Sequence, residues 1–165
     1  YFNNDMARVL KNYSFKDKAV AQFCCNNGRE LLSLAYSQKA KECIGFDIAE
    51  NQVKFANEKA IDLGVSCEFV AANILDIGSK YNNLFDYAII TIGALCWFKD
   101  LYTFFSVVSR CLKTNGVLII NEQHPVCNMF GLPGDDNYDE RCSLKLVNNY
   151  FTKEWRNTDG MYYMT

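Results

Sequence analysis

The sequence has one histidine, no C-x-x-C pair, no long apolar run and no block of basic residues. Each absence excludes a class of function. A metal site needs thiolates or imidazoles at ligand spacing, so no metal is expected, and the eight cysteines (24, 25, 43, 67, 96, 111, 127 and 142) are expected to be reduced and mostly buried. Nothing approaches the roughly 20 consecutive apolar residues that span a bilayer. The opening Tyr1-Phe2-Asn3-Asn4 also lacks the basic-then-apolar order of a secretory leader, so a cytoplasmic location with no membrane partner is expected. Seventeen Lys and Arg against 19 Asp and Glu give a net charge of -2, which offers no footprint for a phosphate backbone, so no nucleic-acid partner is expected. There is no internal repeat and no low-complexity tract. The first residue is not Met and the last four, Tyr162 to Thr165, form no closing element, so the chain is expected to be a piece of a longer one.

What is present is an alternation of short apolar runs and longer helical patterns over 165 residues, 50% of them hydrophobic. That order is the signature of βαβ units and a parallel sheet, in a chain of the size of one domain. Strands are expected at 19–23, 42–46, 67–70, 85–90 and 117–120. A crossover helix is expected where Val53, Phe55, Ala56, Ala60 and Leu63 recur at helical spacing before Gly64. A second is expected to be capped by Asp100, to carry Leu101, Phe104, Phe105, Val108 and Leu112 on its apolar face, and to stop at Thr114-Asn115-Gly116. Met6, Val9, Leu10 and Tyr13 mark a short helix or lid ahead of the first strand, and Gly131 to Asn137 a turn-rich loop. Residues 144–151 alternate weakly, as a further strand would.

In an open parallel sheet the ligand lies beyond the carboxyl ends of the strands, where the winding reverses. The first strand runs into Cys24-Cys25-Asn26-Asn27-Gly28, a tight turn whose backbone N–H groups can approach a ligand. Asp47 ends the second strand, 19 positions after Gly28, where a carboxylate can accept from both ribose hydroxyls or, alternatively, cap the helix that follows. After the third strand, Asn73 can read the exocyclic amine of adenine with Ile74 over a face, or simply shape a turn. Thr91, Ile92 and Gly93 leave room for the reactive end of a cofactor. His124 is a candidate general base at the rim, and equally a turn histidine held by backbone.

The run from Val20 to Ala35, the segment Ile44-Gly45-Phe46-Asp47-Ile48-Ala49-Glu50-Asn51-Gln52, the strand Phe85 to Ile90 and the stretch Arg110 to Ile120 together resemble the class I S-adenosylmethionine-dependent methyltransferases. The resemblance covers residues 18–126. It implies a Rossmann-like three-layer α/β sandwich with a mostly parallel twisted sheet, seven-stranded in the family and here truncated before its last strands. It implies a single domain over 1–165, with an N-terminal helix or lid (1–17), a cofactor core (18–126) and a loop-rich substrate side (127–165). The cofactor S-adenosylmethionine, released as S-adenosylhomocysteine, would be held by Phe23, Cys24, Cys25, Asn26, Gly28, Asp47, Ile48, Gln52, Asn73, Ile74, Leu75, Thr91, Ile92 and Gly93. Three departures stand out: Gln22 occupies the family's acidic position in the first strand, and Cys24 and Asn26 occupy two of its glycine positions.

The expected activity is therefore methyl transfer to a small-molecule acceptor, with the oligomeric state left open. Two other readings share parts of the pattern. A methyltransferase-like module kept for binding or regulation would explain the altered turn. A nucleotide-dependent oxidoreductase shares the strand, Gly, helix and acid layout, but only one glycine of a G-x-G-x-x-G turn is here.

Overall fold

The structure, a computed structural model, describes residues 2–131, 133, 138–151, 156–158 and 161–163. Within it the chain divides into two compact units, Tyr1–Thr91 with Asp100–Asn121, and Ile92–Lys99 with Glu122–Thr165.

The first unit carries four helices, α1 (Asn4–Leu10), α2 (Arg29–Gln38), α3 (Glu50–Leu63) and α4 (Leu101–Cys111), and five strands. The strands are β1 (Ala19–Phe23), β2 (Glu42–Asp47), β3 (Cys67–Ala71), β4 (Phe85–Ile90) and β5 (Leu112–Ile120), all parallel, in the order β3-β2-β1-β4-β5. The winding thus reverses between β1 and β4. Side chains alternate across the sheet. Val20, Cys43, Phe69 and Ile89 pack with Leu31 and Leu34 of α2 and Val53, Ala56 and Ala60 of α3. The alternate positions Phe23 and Phe46 stack at 5.4 Å on the opposite face, where Phe104 of α4 meets Phe23 edge-on at 6.4 Å. Helices therefore cover both faces, giving the three-layer sandwich expected of this patterning.

The expected strands 19–23 and 85–90 coincide with β1 and β4, and β2 and β3 each run one residue further. The helix at 50–63 buries Val53, Ala56 and Ala60, whereas Phe55 and Leu63 are exposed, so its apolar face is narrower than the sequence pattern implied. The cap by Asp100 is present: its Oδ1 accepts from the Thr103 N–H at 3.1 Å, a contact that contributes about 1 kcal/mol to a helix.

The end of α4 differs from expectation. It stops at Cys111, not at 114–116, because Asn83 and Leu84 donate their N–H groups to the carbonyls of Arg110 and Cys111. Carbonyls that the next turn of helix would have used are satisfied from a distant loop. Leu112 then pairs at once with Phe85, and the Asn115-Gly116 signal marks an irregularity in β5, with Asn115 at φ 66°, before pairing resumes at Val117 with Tyr87. At the amino end of β4, Asp86 binds the Ala19 N–H (3.0 Å), Lys113 (2.9 Å) and Lys18 (3.5 Å).

The second unit holds two short 3-10 turns, Leu95–Trp97 and Pro125–Met129, and a two-stranded antiparallel sheet of β6 (Arg156–Thr158) and β7 (Met161–Tyr163) that the sequence did not suggest. Of the strand expected at 144–151, a single bridge between Phe130 and Leu146 forms among the described residues. Most of the loop expected at 131–137 lies outside the described residues. None of the eight cysteines is in a disulfide; Cys25, Cys43 and Cys111 are buried, four are half-buried and Cys142 is exposed, so fewer are buried than expected.

Candidate functional site

The turn after β1 is built from left-handed residues, Cys24 at φ 56°, Asn26 at φ 49° and Gly28 at φ 72°. Asn tolerates this region; Cys does so only under constraint from its surroundings. Gly28 is required twice over. A Cβ there would lie 2.5 Å from the Phe69 ring and 2.8 Å from the Ala56 methyl, and a Cβ on Gly45 would also lie 2.5 Å from that ring. Phe69 is held in this wedge because Asn57 of α3 brackets its backbone, accepting from its N–H at 2.9 Å and donating to its carbonyl at 2.8 Å. The missing side chain of Gly28 thus makes room for a ring of the edge strand β3, two strands away, and its N–H is spent on the Cys25 carbonyl at 2.9 Å.

Asp47 is the hinge of this corner. Its Oδ2 accepts from the Asn26 N–H at 2.7 Å and its Oδ1 from the Ala49 N–H at 3.0 Å, so one carboxylate ties the first turn to the end of β2. Ala49, not Asp47, is the residue at the N-terminal cap position of α3. Two amide bonds leave lone pairs on a carboxylate free for ribose hydroxyls. Beside it Ile48 is 74% exposed, an apolar surface of the kind a planar base covers. Gln52 is half-buried on the first turn of α3. The Ala72 N–H donates to the Asp47 carbonyl at 2.9 Å, which places the residues after β3 next to this corner.

Asn73 accepts from the Leu75 N–H at 3.1 Å and donates to Asp76 at 2.7 Å, shaping the 3-10 turn Ile74–Asp76. Ile74 is buried and Leu75 is exposed, so of the two Leu75 is the one presented to a ligand. At the end of β4, Thr91 accepts from Gln22 Nε2 at 3.3 Å. Gln22, on β1 and 1% exposed, also donates to Glu30 Oε2 at 3.2 Å, while its Oε1 has no partner among the described residues. Sequence reasoning noted Gln22 only as a departure and passed over Glu30, whose place in the first turn of α2 reads locally as ordinary helix-dipole chemistry.

The Cys25 thiol is pushed far above its usual range by burial, then by the Asp47 charge and more weakly by Cys24 and Glu30, so it stays protonated and is no nucleophile.

Ile92 and Gly93 belong to the second unit. There Glu122 accepts the N–H groups of Gly93 (2.6 Å), Ala94 (2.9 Å), Leu95 (3.1 Å) and Gln123 (3.0 Å), an anchor that no local pattern announces. Burial, and then Glu122, raise the Cys96 thiol. His124 is exposed and accepts the Val126 N–H through Nδ1 at 3.2 Å, capping the turn 125–129, which leaves Nε2 as the nitrogen that can meet a substrate. Two surface cavities, of about 770 Å³ beside Asp139, Arg141 and Lys145 and about 580 Å³ beside Tyr102, Phe105 and Arg110, include none of the predicted site residues. Among the described residues no three His, Cys, Asp or Glu side chains group as a metal site would need, and no helix is long and apolar enough to cross a membrane.

The sequence profile of the methyltransferase domain family matches residues 14–157. No curated protein matches in sequence. Among solved structures, the chain is similar to the YcgJ protein of Bacillus subtilis, with a TM-score of 0.62 and 22% identity over 72% of this chain and 50% of that one. It is similar to an S-adenosylmethionine-dependent methyltransferase of Mesorhizobium loti, with a TM-score of 0.64 and 19% identity over 74% of this chain and 52% of that one. A third is PKMT2 of Rickettsia typhi in complex with AdoHcy, with a TM-score of 0.57 and 23% identity over 63% of this chain and 20% of that one. These likenesses establish the Rossmann-like fold, and the chain spans about half the length, or less, of the structures it matches.

Proposed function

The chain belongs to the methyltransferase domain family, class I with S-adenosylmethionine as cofactor, and on that premise we propose that it transfers the cofactor's methyl group to a small-molecule acceptor in the cytoplasm. The observation that carries this reading is the corner where Asp47 joins the β1 turn to the end of β2, beside the reversal of winding between β1 and β4. The residues present fit the cofactor. Asp47 would hold the ribose, Ile48 and Leu75 would cover the adenine, Asn73 would meet its edge, and the segment Phe23 to Gly28 would face the methionine arm, with Gln52 and Thr91 at the margins. Ile74 would support this surface from beneath, and Ile92 and Gly93 would follow on from Thr91.

The bound cofactor supplies an electrophilic methyl on a sulfonium, which leaves as a neutral thioether when the methyl is displaced in line. The protein's tasks are to orient the nucleophile and exclude water. An oxygen or nitrogen nucleophile must also lose a proton, and the exposed His124, whose Nδ1 is taken by the Val126 N–H, would accept it through Nε2.

One observation favours a binding module instead: the chain's own groups already engage both oxygens of Asp47 and both polar atoms of the Asn73 side chain. Calorimetric titration with S-adenosylhomocysteine, and with NADH as control, separates the readings. Binding of the first alone is the expected result. Binding of NADH alone would favour an oxidoreductase, and silence from both would leave the binding module in front.

A further inference from the structure

We propose that Glu30, held by Gln22, is the carboxylate with which this chain pairs the ammonium group on the methionine arm of its cofactor. The proposal deepens the cofactor reading above and rests on it.

Gln22 is a polar residue in a strand whose five positions are all buried, and the sheet does not need it. A carboxylate can only accept, so Nε2 is the end of the amide that faces Glu30, as the distances of 3.2 Å to Glu30 and 3.3 Å to Thr91 require. That orientation strands Oε1 in the interior without a donor among the described residues. A Met or Leu of similar volume would fill the space without an unmet acceptor. What the amide achieves is to hold one oxygen of Glu30 in place.

Glu30 itself has a side chain only 17% exposed, and its nearest cation among the described residues is Arg29 at 3.7 Å, whose own side chain is 62% exposed. So loose a pair in water contributes little and leaves the carboxylate's charge largely uncompensated. A half-buried carboxylate without a close cation among the described residues, just past Gly28 in the first turn of α2, is suited to a small cationic ligand group. The strand supplies no charge here, since Gln22 is neutral; the first turn of α2 supplies it instead.

The test uses two ligands in calorimetric titrations of the whole protein: S-adenosylhomocysteine, and its deaminated analogue, which keeps the arm's carboxylate and lacks only the ammonium. Glu30→Gln is expected to weaken S-adenosylhomocysteine about tenfold or more, the effect of losing one charge-assisted hydrogen bond, and to leave the analogue within about twofold. Gln22→Met is expected to reproduce the selective loss with an unchanged or higher melting temperature, because it removes the stranded oxygen and frees Glu30 to move. Undiminished binding of S-adenosylhomocysteine to Glu30→Gln, or equal losses for both ligands, would overturn the assignment. If the unaltered protein binds neither ligand, the cofactor reading itself fails.

Discussion

Asp47 does two jobs with one side chain. It accepts two backbone N–H groups of its own corner and is the residue proposed to hold the ribose. Replacement by Ala is expected to weaken S-adenosylhomocysteine by about 1.5–3 kcal/mol, the range for hydrogen bonds to a charged group. Affinity measured by calorimetry on a variant with native circular dichroism decides it, and an unchanged value would remove Asp47 from the site. Gly28 is different in kind. Its contribution is geometric, since the Phe69 ring occupies the space of a side chain there, and its N–H is already bonded within the turn. The glycine that a sequence pattern associates with a ligand is, in this fold, first a packing residue.

At the level of elements, β1, β4 and β5 are fastened at their amino ends by Asp86 with Lys18, Lys113 and the Ala19 amide. Burial alone would raise this carboxyl, but the Lys113 hydrogen bond, the Ala19 N–H and the two lysine charges outweigh it and hold its pKa below the ordinary value. A carboxylate depressed in the folded state contributes stability above its unfolded pKa of about 4 and loses it as the pH falls through the lower folded value. Asp86→Asn is therefore expected to cost about 1–2 kcal/mol at pH 7 and to flatten the acid limb of stability. Urea unfolding across that pH range measures both, and an acid limb as steep as that of the unaltered protein would show that Asp86 does not link folding to pH. The same end of the fold explains the early stop of α4, whose last carbonyls are taken by Asn83 and Leu84.

For the whole molecule, the cofactor reading has a consequence that needs no acceptor. A ligand that binds only the folded state stabilises it by mass action, about 2.7 kcal/mol at a concentration 100 times its Kd. S-adenosylhomocysteine is expected to raise the melting temperature accordingly in scanning calorimetry, and NADH to leave it unmoved. A shift with NADH of equal size would remove the distinction on which the methyl-transfer reading depends.

The order of strands and helices, the turn at 24–28 and the acid at 47 were legible in the sequence, because side-chain periodicity and left-handed turn preferences act over a few residues. Where a helix ended depended on a partner 27 positions away, the separation of Asn83 and Arg110, and the local signal at Asn115-Gly116 misled for that reason. The Asn73 side chain could read a base or shape a turn on sequence alone; the structure shows the turn bonds it makes. Gln22 looked like a loss of charge until folding brought it against Glu30, eight positions on, and Thr91, 69 positions on. Local chemistry determined the elements. Only tertiary structure decided which polar atoms they share, because hydrogen bonds between distant residues exist only once the sheet has set their distances.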